Sequence, residues 1–215
     1  TYAYTTTAAM TLSLDDLHGD GDLDAFIVSD LAGADEVWLN NGGQQGGTAG
    51  TYSNTGQSLG ELETRDIALG DVDGDGDLDA FIVNWATEGI EPASYAWNNH
   101  NELWLNDGHG FFTQSEQYLG HQASYGVALG DVDGDHDLDA IVTNAGRIEN
   151  GVLLDGRNEL WLNDGQGHFT HSGQILGDTG GSDVSLGDLD NDGDLDVFIA
   201  FPYLFTGASR VWLNQ

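Results

Sequence analysis

The chain repeats itself four times, and this repetition constrains its fold more than any other feature of the sequence. Each repeat contains a loop in which aspartates recur at every second position. The loops span residues 16–24, 71–79, 131–139 and 188–196, and their first aspartates are 55, 60 and 57 residues apart. A second phrase, Trp-Leu-Asn, follows each loop. A repeat of this length is close to one four-stranded blade of a β-propeller.

Each repeat divides into four strand-length segments, which we name A to D. Segment A (for example 125–129) leads into the aspartate loop, and segment B (80–83) leaves it as a short apolar run. Segment C (102–105) alternates polar and apolar residues, and an Asp-Gly dipeptide separates it from segment D (111–113). Asp-Gly between strands is a strong hairpin signal. We therefore predict an all-β fold, with residues 1–215 forming one β-propeller domain of four four-stranded antiparallel blades.

The two ends of the chain complement each other. Residues 1–5 resemble a D segment, whereas the chain ends just after the fourth C segment. We expect the N-terminal strand to complete the last blade. That blade belongs either to the same chain, which closes a ring, or to a neighbouring chain, which builds a larger ring or a filament. The sequence leaves both alternatives open.

The aspartate loops are predicted to bind metal. In the pattern D-x-D-x-D-G-x-x-D, the carboxylates at positions 1, 3 and 5 turn toward one point, and the glycine at position 6 permits the bend. The carbonyl at position 7 and the aspartate at position 9 complete an oxygen cage that favours Ca²⁺ over Mg²⁺. The predicted ligand positions, those at position 7 acting through the backbone carbonyl, are Asp16, His18, Asp20, Asp22 and Asp24; Asp71, Asp73, Asp75, Asp77 and Asp79; Asp131, Asp133, Asp135, Asp137 and Asp139; and Asp188, Asp190, Asp192, Asp194 and Asp196.

Two of the four loops depart from this pattern. His18 stands at position 3 of the first loop, so we expect that site to be the weakest. His136 replaces the glycine at the bend of the third loop. We therefore expect three to four Ca²⁺ per chain. The loops are not EF-hands, because position 12, where an EF-hand has a bidentate glutamate, holds isoleucine or valine.

The composition excludes several classes of protein. The chain has 37 acidic residues against four arginines and no lysine, giving a formal charge of −33, so it would repel nucleic acids and anionic membranes. Its 6 Trp, 7 Tyr and 8 Phe residues argue against an acidic disordered chain. The absence of cysteine excludes disulfides and thiolate metal sites. We expect no membrane insertion, because no run of about 18 apolar residues occurs.

The loop, the Leu-Gly before it and the Leu-Asp-Ala-Phe-Ile-Val after it closely resemble FG-GAP/VCBS repeats, the blades of integrin-α-type β-propellers. The resemblance covers all four repeats. It implies calcium between strands A and B at the base of each blade, and an extracellular or cell-surface location. Propellers of this family usually have seven or eight blades, whereas this chain offers four.

The connections between segments B and C vary most among the repeats, and we expect them on the face opposite the aspartate loops. Aromatic side chains there suit stacking on sugar rings or anchoring a protein partner. The alternative is that they fold back over the blade edges. The candidate ligand-binding residues are Trp85, Tyr95, Trp97, Arg147 and Tyr203. The recurring tryptophan of the Trp-Leu-Asn phrase is instead predicted to pack between blades.

Three functions from different classes follow. The favoured one is an extracellular calcium-binding module for binding or adhesion, with a glycan or protein ligand on the variable face. The second is a structural subunit that self-assembles by N-terminal strand exchange. The third is a polysaccharide-acting enzyme, which occurs among similar propellers. The seven histidines are scattered and no nucleophile–base pair is recognisable, so we expect no catalytic activity.

Overall fold

A computed structural model of the chain describes residues 9–29, 34–42, 48, 50–60, 62–85, 100–120, 122–145, 147–149, 152–154, 156–177, 180–201 and 208–215. The regular structure in these ranges is entirely β, which confirms the predicted class, and they contain no helix that could cross a membrane. The strands are β1 (Ala9–Asp15), β2 (Asp24–Ser29), β3 (Glu36–Asn40), β4 (Tyr52–Asn54), β5 (Glu63–Gly70), β6 (Asp79–Trp85), β7 (Glu102–Asn106), β8 (Phe112–Gln114), β9 (Ser124–Gly130), β10 (Asp139–Asn144), β11 (Arg147–Glu149), β12 (Val152–Leu154), β13 (Asn158–Asn163), β14 (Phe169–Leu176), β15 (Asp183–Gly187), β16 (Asp196–Ala200) and β17 (Arg210–Trp212).

Within the described ranges the strands form four antiparallel sheets, one for each repeat. Sheet I has the order β1-β2-β3-β4, sheet II β5-β6-β7-β8, sheet III β9-β10-β13-β14 and sheet IV β15-β16-β17. Strands β11 and β12 pair with each other as a separate hairpin. In sheets I to III the four strands are the predicted segments A to D, and each is paired with the next along the chain. Sheet IV contains segments A to C, and residues 1–8, which hold the predicted completing strand, lie outside the described residues.

The hydrophobic core lies between the sheets. The first strands of successive sheets contact each other: β1 contacts β5, β5 contacts β9, and β9 contacts β15. The four sheets therefore follow one another in the order of the sequence. One buried cluster lies at each of these three junctions. At the first junction, Phe26 meets Phe112 edge to face with ring centroids 5.2 Å apart, and at the second, Phe81 meets Phe169 at 5.3 Å. Adjacent sheets therefore bury apolar faces against each other at these three junctions, as consecutive propeller blades do.

Three of the four recurring tryptophans lie in these junctions, as predicted, whereas Trp38 is not among the residues described in the three clusters. Trp161 is buried in the cluster between sheets II and III. Trp104 packs against the cluster between sheets I and II, and Trp212 against the one between sheets III and IV. The indole N–H of Trp104 donates to Glu102 at 3.2 Å, which satisfies its one polar group at this position.

Candidate metal centres

Each aspartate loop connects the first and second strands of its sheet. The second loop follows β5 and ends where β6 begins, and Gly70 is paired with Asp79 across its base. The chain can turn this tightly because Gly74 and Gly76 adopt positive φ angles of 77° and 96°, which glycine tolerates without strain. In each repeat, the aspartate at position 9 is the first residue of the second strand of the sheet.

The carboxylate at position 1 organises the loop backbone. In the second loop, Oδ1 of Asp71 accepts the N–H of Gly74 at 2.9 Å, and its Oδ2 accepts the N–H of Gly76 at 3.0 Å. The third loop has the same pattern, although position 6 is His136, which takes a φ of +77°. The third loop therefore keeps the bend that the sequence pattern assigns to glycine.

The carboxylate at position 9 is completely buried in all four loops. In the second loop, Asp79 accepts the N–H of Val72 at 3.1 Å and the N–H of Asn106 at 2.9 Å. Asn106 ends the Trp-Leu-Asn phrase, so this carboxylate joins the loop to the third strand. Burial raises the pKa of Asp79 to about 6, against the lowering effect of the two hydrogen bonds, and the charges of Asp73 and Asp75 raise it further.

Positions 1, 3 and 9 come together in every loop. One ligand atom from each of the three residues lies within 4.8 Å of the other two. The groups are Asp16, His18 and Asp24; Asp71, Asp73 and Asp79; Asp131, Asp133 and Asp139; and Asp188, Asp190 and Asp196. Burial, followed by the nearby Asp75 charge, raises the pKa of Asp73. Carboxylate oxygens that crowd in this way match the hard-oxygen donor set of Ca²⁺ or a similar divalent cation, so these groups could hold metal ions.

The side chains at positions 5 and 7 lie outside these groups. At position 5, the Oδ1 atom of Asp75 accepts the N–H of Asp77 at 3.0 Å, and the other loops repeat this bond for Asp20, Asp135 and Asp192. The position-7 side chain of Asp77 packs against Gly108 in the turn between the third and fourth strands. The turn and the loop therefore lie at the same end of the sheet. Ligation by the backbone carbonyls of Asp22, Asp77, Asp137 and Asp194 stays a prediction.

The first loop differs from the others through its histidine. Nδ1 of His18 lies 2.6 Å from Oδ2 of Asp24, and Nε2 lies 3.2 Å from Oδ2 of Asp20. The side chain of His18 is buried. The imidazole thus stands between two carboxylates, at the position where the other loops have an aspartate.

The sequence analysis assigned no role to the asparagine of the Trp-Leu-Asn phrase, and the structure gives it one. The Nδ2 group of Asn106 donates to the carbonyl of Leu17 at 2.9 Å, in the aspartate loop of the preceding sheet. Asn163 and Asn214 make the same bond to the preceding loop, both at 2.8 Å. The recurrence of this asparagine in all four repeats was the sequence signal that could have identified it. These amides tie the first, second and third candidate metal loops to the next sheet.

The candidate ligand-binding residues are not brought together by the described structure. Trp85 ends β6, where its ring centroid lies 4.7 Å from that of Tyr125 in sheet III and the Arg65 guanidinium lies 5.1 Å from its centroid. Trp85 therefore packs between sheets II and III. Arg147 begins β11. The other three candidates, Tyr95, Trp97 and Tyr203, lie outside the described residues.

Comparison with known families supports the assignment of the repeats. A family model described as FG-GAP-like repeat matches residues 16–82 and 145–199, which together make up more than half of the chain. These ranges contain the first, second and fourth aspartate loops, and the third loop lies between them. A search of curated proteins found no match. The chain belongs to the FG-GAP-like repeat family.

Proposed function

We propose that this chain is an extracellular β-propeller module whose aspartate loops bind Ca²⁺ and thereby stabilise the packing of four blades. The observation that carries the proposal is the buried aspartate at position 9 in all four loops, clustered with positions 1 and 3. Keeping such a carboxylate ionised without a cation is unfavourable, as the raised pKa of Asp79 indicates. A bound divalent cation offsets this cost.

Calcium suits these loops better than a transition metal. The second, third and fourth groups offer carboxylate oxygens alone, with no nitrogen or sulfur ligand that a transition metal would prefer. Ca²⁺ accepts six to eight oxygens in flexible geometry, whereas Mg²⁺ requires an octahedron and retains water. The structural effect of a bound Ca²⁺ follows from the hydrogen bonds of Asp79. This residue holds the backbone of Asn106, whose side chain holds the preceding loop, so a cation in one loop supports two sheets.

The extracellular location is part of the proposal. Support comes from membership of the FG-GAP-like repeat family and from calcium-type loops, which need a compartment rich in calcium. The high acidic charge also opposes contact with nucleic acids and anionic membranes. We further propose that the chain acts by binding rather than by catalysis.

The ligand is proposed to be a glycan or a protein that binds the variable face. Support comes from the third repeat, where the connection between the second and third strands contains the hairpin β11–β12, which belongs to none of the four sheets. Extra structure on a repeated scaffold is a common location for binding sites. A glycan array probed with and without EDTA tests this: calcium-dependent retention of one glycan class supports carbohydrate binding, and equal background in both conditions contradicts it.

A second candidate function is structural self-assembly through the N-terminal strand. The observation that favours it is a groove of about 670 Å³ beside the last strand of sheet IV, which is lined by Leu160, Leu162, Trp212 and Leu213. In sheets II and III the fourth strand pairs with the third strand at the equivalent edge, so a strand bound beside β17 would complete sheet IV in the same way. Deleting residues 1–7 should reduce the assembled mass if a neighbouring chain supplies the strand, and an unchanged mass would contradict strand exchange.

Thermal melting with Ca²⁺ and with EGTA tests the primary proposal. At a calcium concentration 100 times the Kd, each site adds about 2.7 kcal/mol to the free energy of unfolding, which raises the Tm by roughly 5–10 °C. The variant Asp73→Asn should lose part of this increase. Asp107→Asn, which removes a charge from an exposed turn outside the candidate groups, should keep it. An identical Tm of the wild-type chain in calcium and in chelator contradicts the proposal.

A further inference from the structure

The outer side of sheet I exposes apolar side chains that its neighbours bury. We name this surface face I, and it consists of Leu12, Leu14 and Leu23, which are 50 to 53% exposed. Leu12 is paired with Ile27 and Leu14 with Ala25, which fixes their side of the sheet. The residues at the same positions in sheet II pack into the core between sheets I and II; they are Ile67, Leu69 and Leu78.

The outer side of sheet IV exposes a second apolar surface, face IV. It consists of Leu189, Phe198, Val211 and Leu213, which are 41 to 53% exposed. Phe198 is paired with Val211 across β16 and β17. The residues at the same positions in sheet I pack into the core against sheet II; they are Leu17, Phe26, Val37 and Leu39.

Faces I and IV are therefore the two halves of one interface that the chain already builds three times. At every internal junction, the residues equivalent to face IV in one sheet cover those equivalent to face I in the next. The two end faces repeat this pattern without a partner sheet in the described part of the chain. Their complementarity is that of the repeat itself.

A glycine ends the first strand of sheets II, III and IV, and the surroundings of these glycines show the same fit. A Cβ atom on Gly130 would come within 2.7 Å of Leu186 and 2.8 Å of Leu195 in the following sheet, so leucines cover this glycine closely. Gly187 occupies the same position in sheet IV and has no atom within 4 Å of its Cβ direction. Face I presents Leu14 and Leu23 at the positions of Leu186 and Leu195. The space over Gly187 thus matches the two leucines of face I.

A polar contact accompanies each internal junction and is available at the ends. Asn106 donates to the carbonyl of its own Leu78 at 3.1 Å and also to that of Leu17 in the preceding sheet. Asn40 makes the first of these bonds, to Leu23 at 3.2 Å. The second bond needs a carbonyl from a sheet in front of sheet I. If face IV of another copy lies there, the carbonyl of Leu189 is at the position equivalent to that of Leu17. An amide has two N–H donors, which allows both bonds.

We propose that a second copy of this chain docks head to tail, with face I of one copy on face IV of the other. Two copies joined at both ends form a ring of eight sheets, within the size range of β-propellers. The partner is a copy because each face matches a surface that this same chain carries. This inference goes beyond calcium binding and concerns surfaces distinct from the candidate metal groups. It also differs from strand exchange, because it uses the flat sides of the end sheets.

The test measures mass by light scattering in saturating calcium, at high salt to screen the repulsion between two acidic chains. The wild-type chain is expected at twice 22.9 kDa. The face-I variant Leu12→Asp/Leu14→Asp and the face-IV variant Phe198→Asp/Val211→Asp are each expected to be monomeric. Their 1:1 mixture should form a dimer, because one intact junction remains between the two variants. Tyr118→Asp is the matched control, since Tyr118 is 70% exposed and belongs to neither face.

Three results would overturn the proposal: a monomeric wild-type chain, a dimer of either variant alone, or a mixture that stays monomeric. Circular dichroism and calcium-dependent melting of each variant show whether it is folded. Gly187→Arg gives a second, steric route, because the substitution points into open space in one copy and should abolish the dimer without loss of fold. A monomeric wild-type chain with a normal calcium-dependent melt would refute only this inference, not the calcium proposal.

Discussion

Replacing the buried Asp35 with asparagine should make the protein more stable at neutral and alkaline pH. Oδ1 of Asp35 accepts the N–H of Ser29 at 2.8 Å, and Oδ2 lies 2.9 Å from the hydroxyl of Thr64. The equivalent residues in the next two repeats, Asn101 and Asn158, accept the same backbone N–H through a neutral amide. An asparagine at position 35 keeps the bond from Ser29 through its Oδ1 and can donate its Nδ2 to the Thr64 hydroxyl, whose hydrogen then serves Asn84 at 3.1 Å, so the substitution removes a buried charge without leaving an unpaired group.

The magnitude follows from the pKa of Asp35, which burial raises from 3.8 to about 7. Between these values the folded chain holds a proton that the unfolded chain has released. The free energy of unfolding therefore falls as pH rises through this window, by 1.36 kcal/mol per pH unit, and the total loss is about 4 kcal/mol above pH 7. Asparagine has no such dependence. The advantage of Asp35→Asn over wild type should grow by about 3 kcal/mol between pH 5 and pH 8.

Urea denaturation of both proteins at pH 5, 6, 7 and 8 measures this difference, with saturating Ca²⁺ present throughout. Other titrating groups are common to both proteins and cancel in the subtraction. Asp107→Asn controls for the removal of one negative charge, since Asp107 is exposed. A difference that stays constant with pH, or a variant less stable than wild type at pH 8, would refute the reasoning.

Two further predictions concern the loops and the sheet junctions. Asp79→Asn should lower the free energy of unfolding by about 2–4 kcal/mol, because the amide cannot accept from both Val72 and Asn106; a loss below about 0.5 kcal/mol in urea denaturation would contradict this role. In the monomeric background Leu12→Asp/Leu14→Asp, where no second copy covers Gly187, Gly130→Ala should destabilise the chain by about 1–3 kcal/mol, because its Cβ meets leucine methyl groups at 2.7 Å, whereas Gly187→Ala, which meets nothing within 4 Å, should change the stability by less than about 0.5 kcal/mol. Equal effects of the two glycine variants would disprove the junction geometry.

The regular strands could be predicted because each repeat carries the same local signals. The predicted A segment 125–129 lies within β9, and the predicted C segment 102–105 lies within β7. Alternation, short apolar runs and Asp-Gly turns are all local, and four copies of them reinforce one another. Among the described residues the hairpin β11–β12 occurs once, and its strands have three residues, so no recurrence marked it.

The candidate metal groups could be predicted in position but not in detail. The spacing predicted that the carboxylates at positions 1, 3 and 5 meet at one point with position 9 completing the cage, and the structure brings together positions 1, 3 and 9. The spacing alone could not show that the position-5 carboxylate of Asp75 accepts the N–H of Asp77. Nor could it show the bonds from Asn106 and Asn163 to the preceding loops, because these join residues 89 and 91 positions apart. Such contacts depend on how the sheets pack, which the local pattern does not encode.

The most direct test of the account is the number of calcium ions bound per chain. Equilibrium dialysis of metal-free protein against Ca²⁺, followed by elemental analysis, gives this number without assuming any effect on folding. The account predicts three or four tightly bound ions, one for each carboxylate group, with the His18 loop the weakest. Binding of fewer than one ion per chain at millimolar calcium would contradict it.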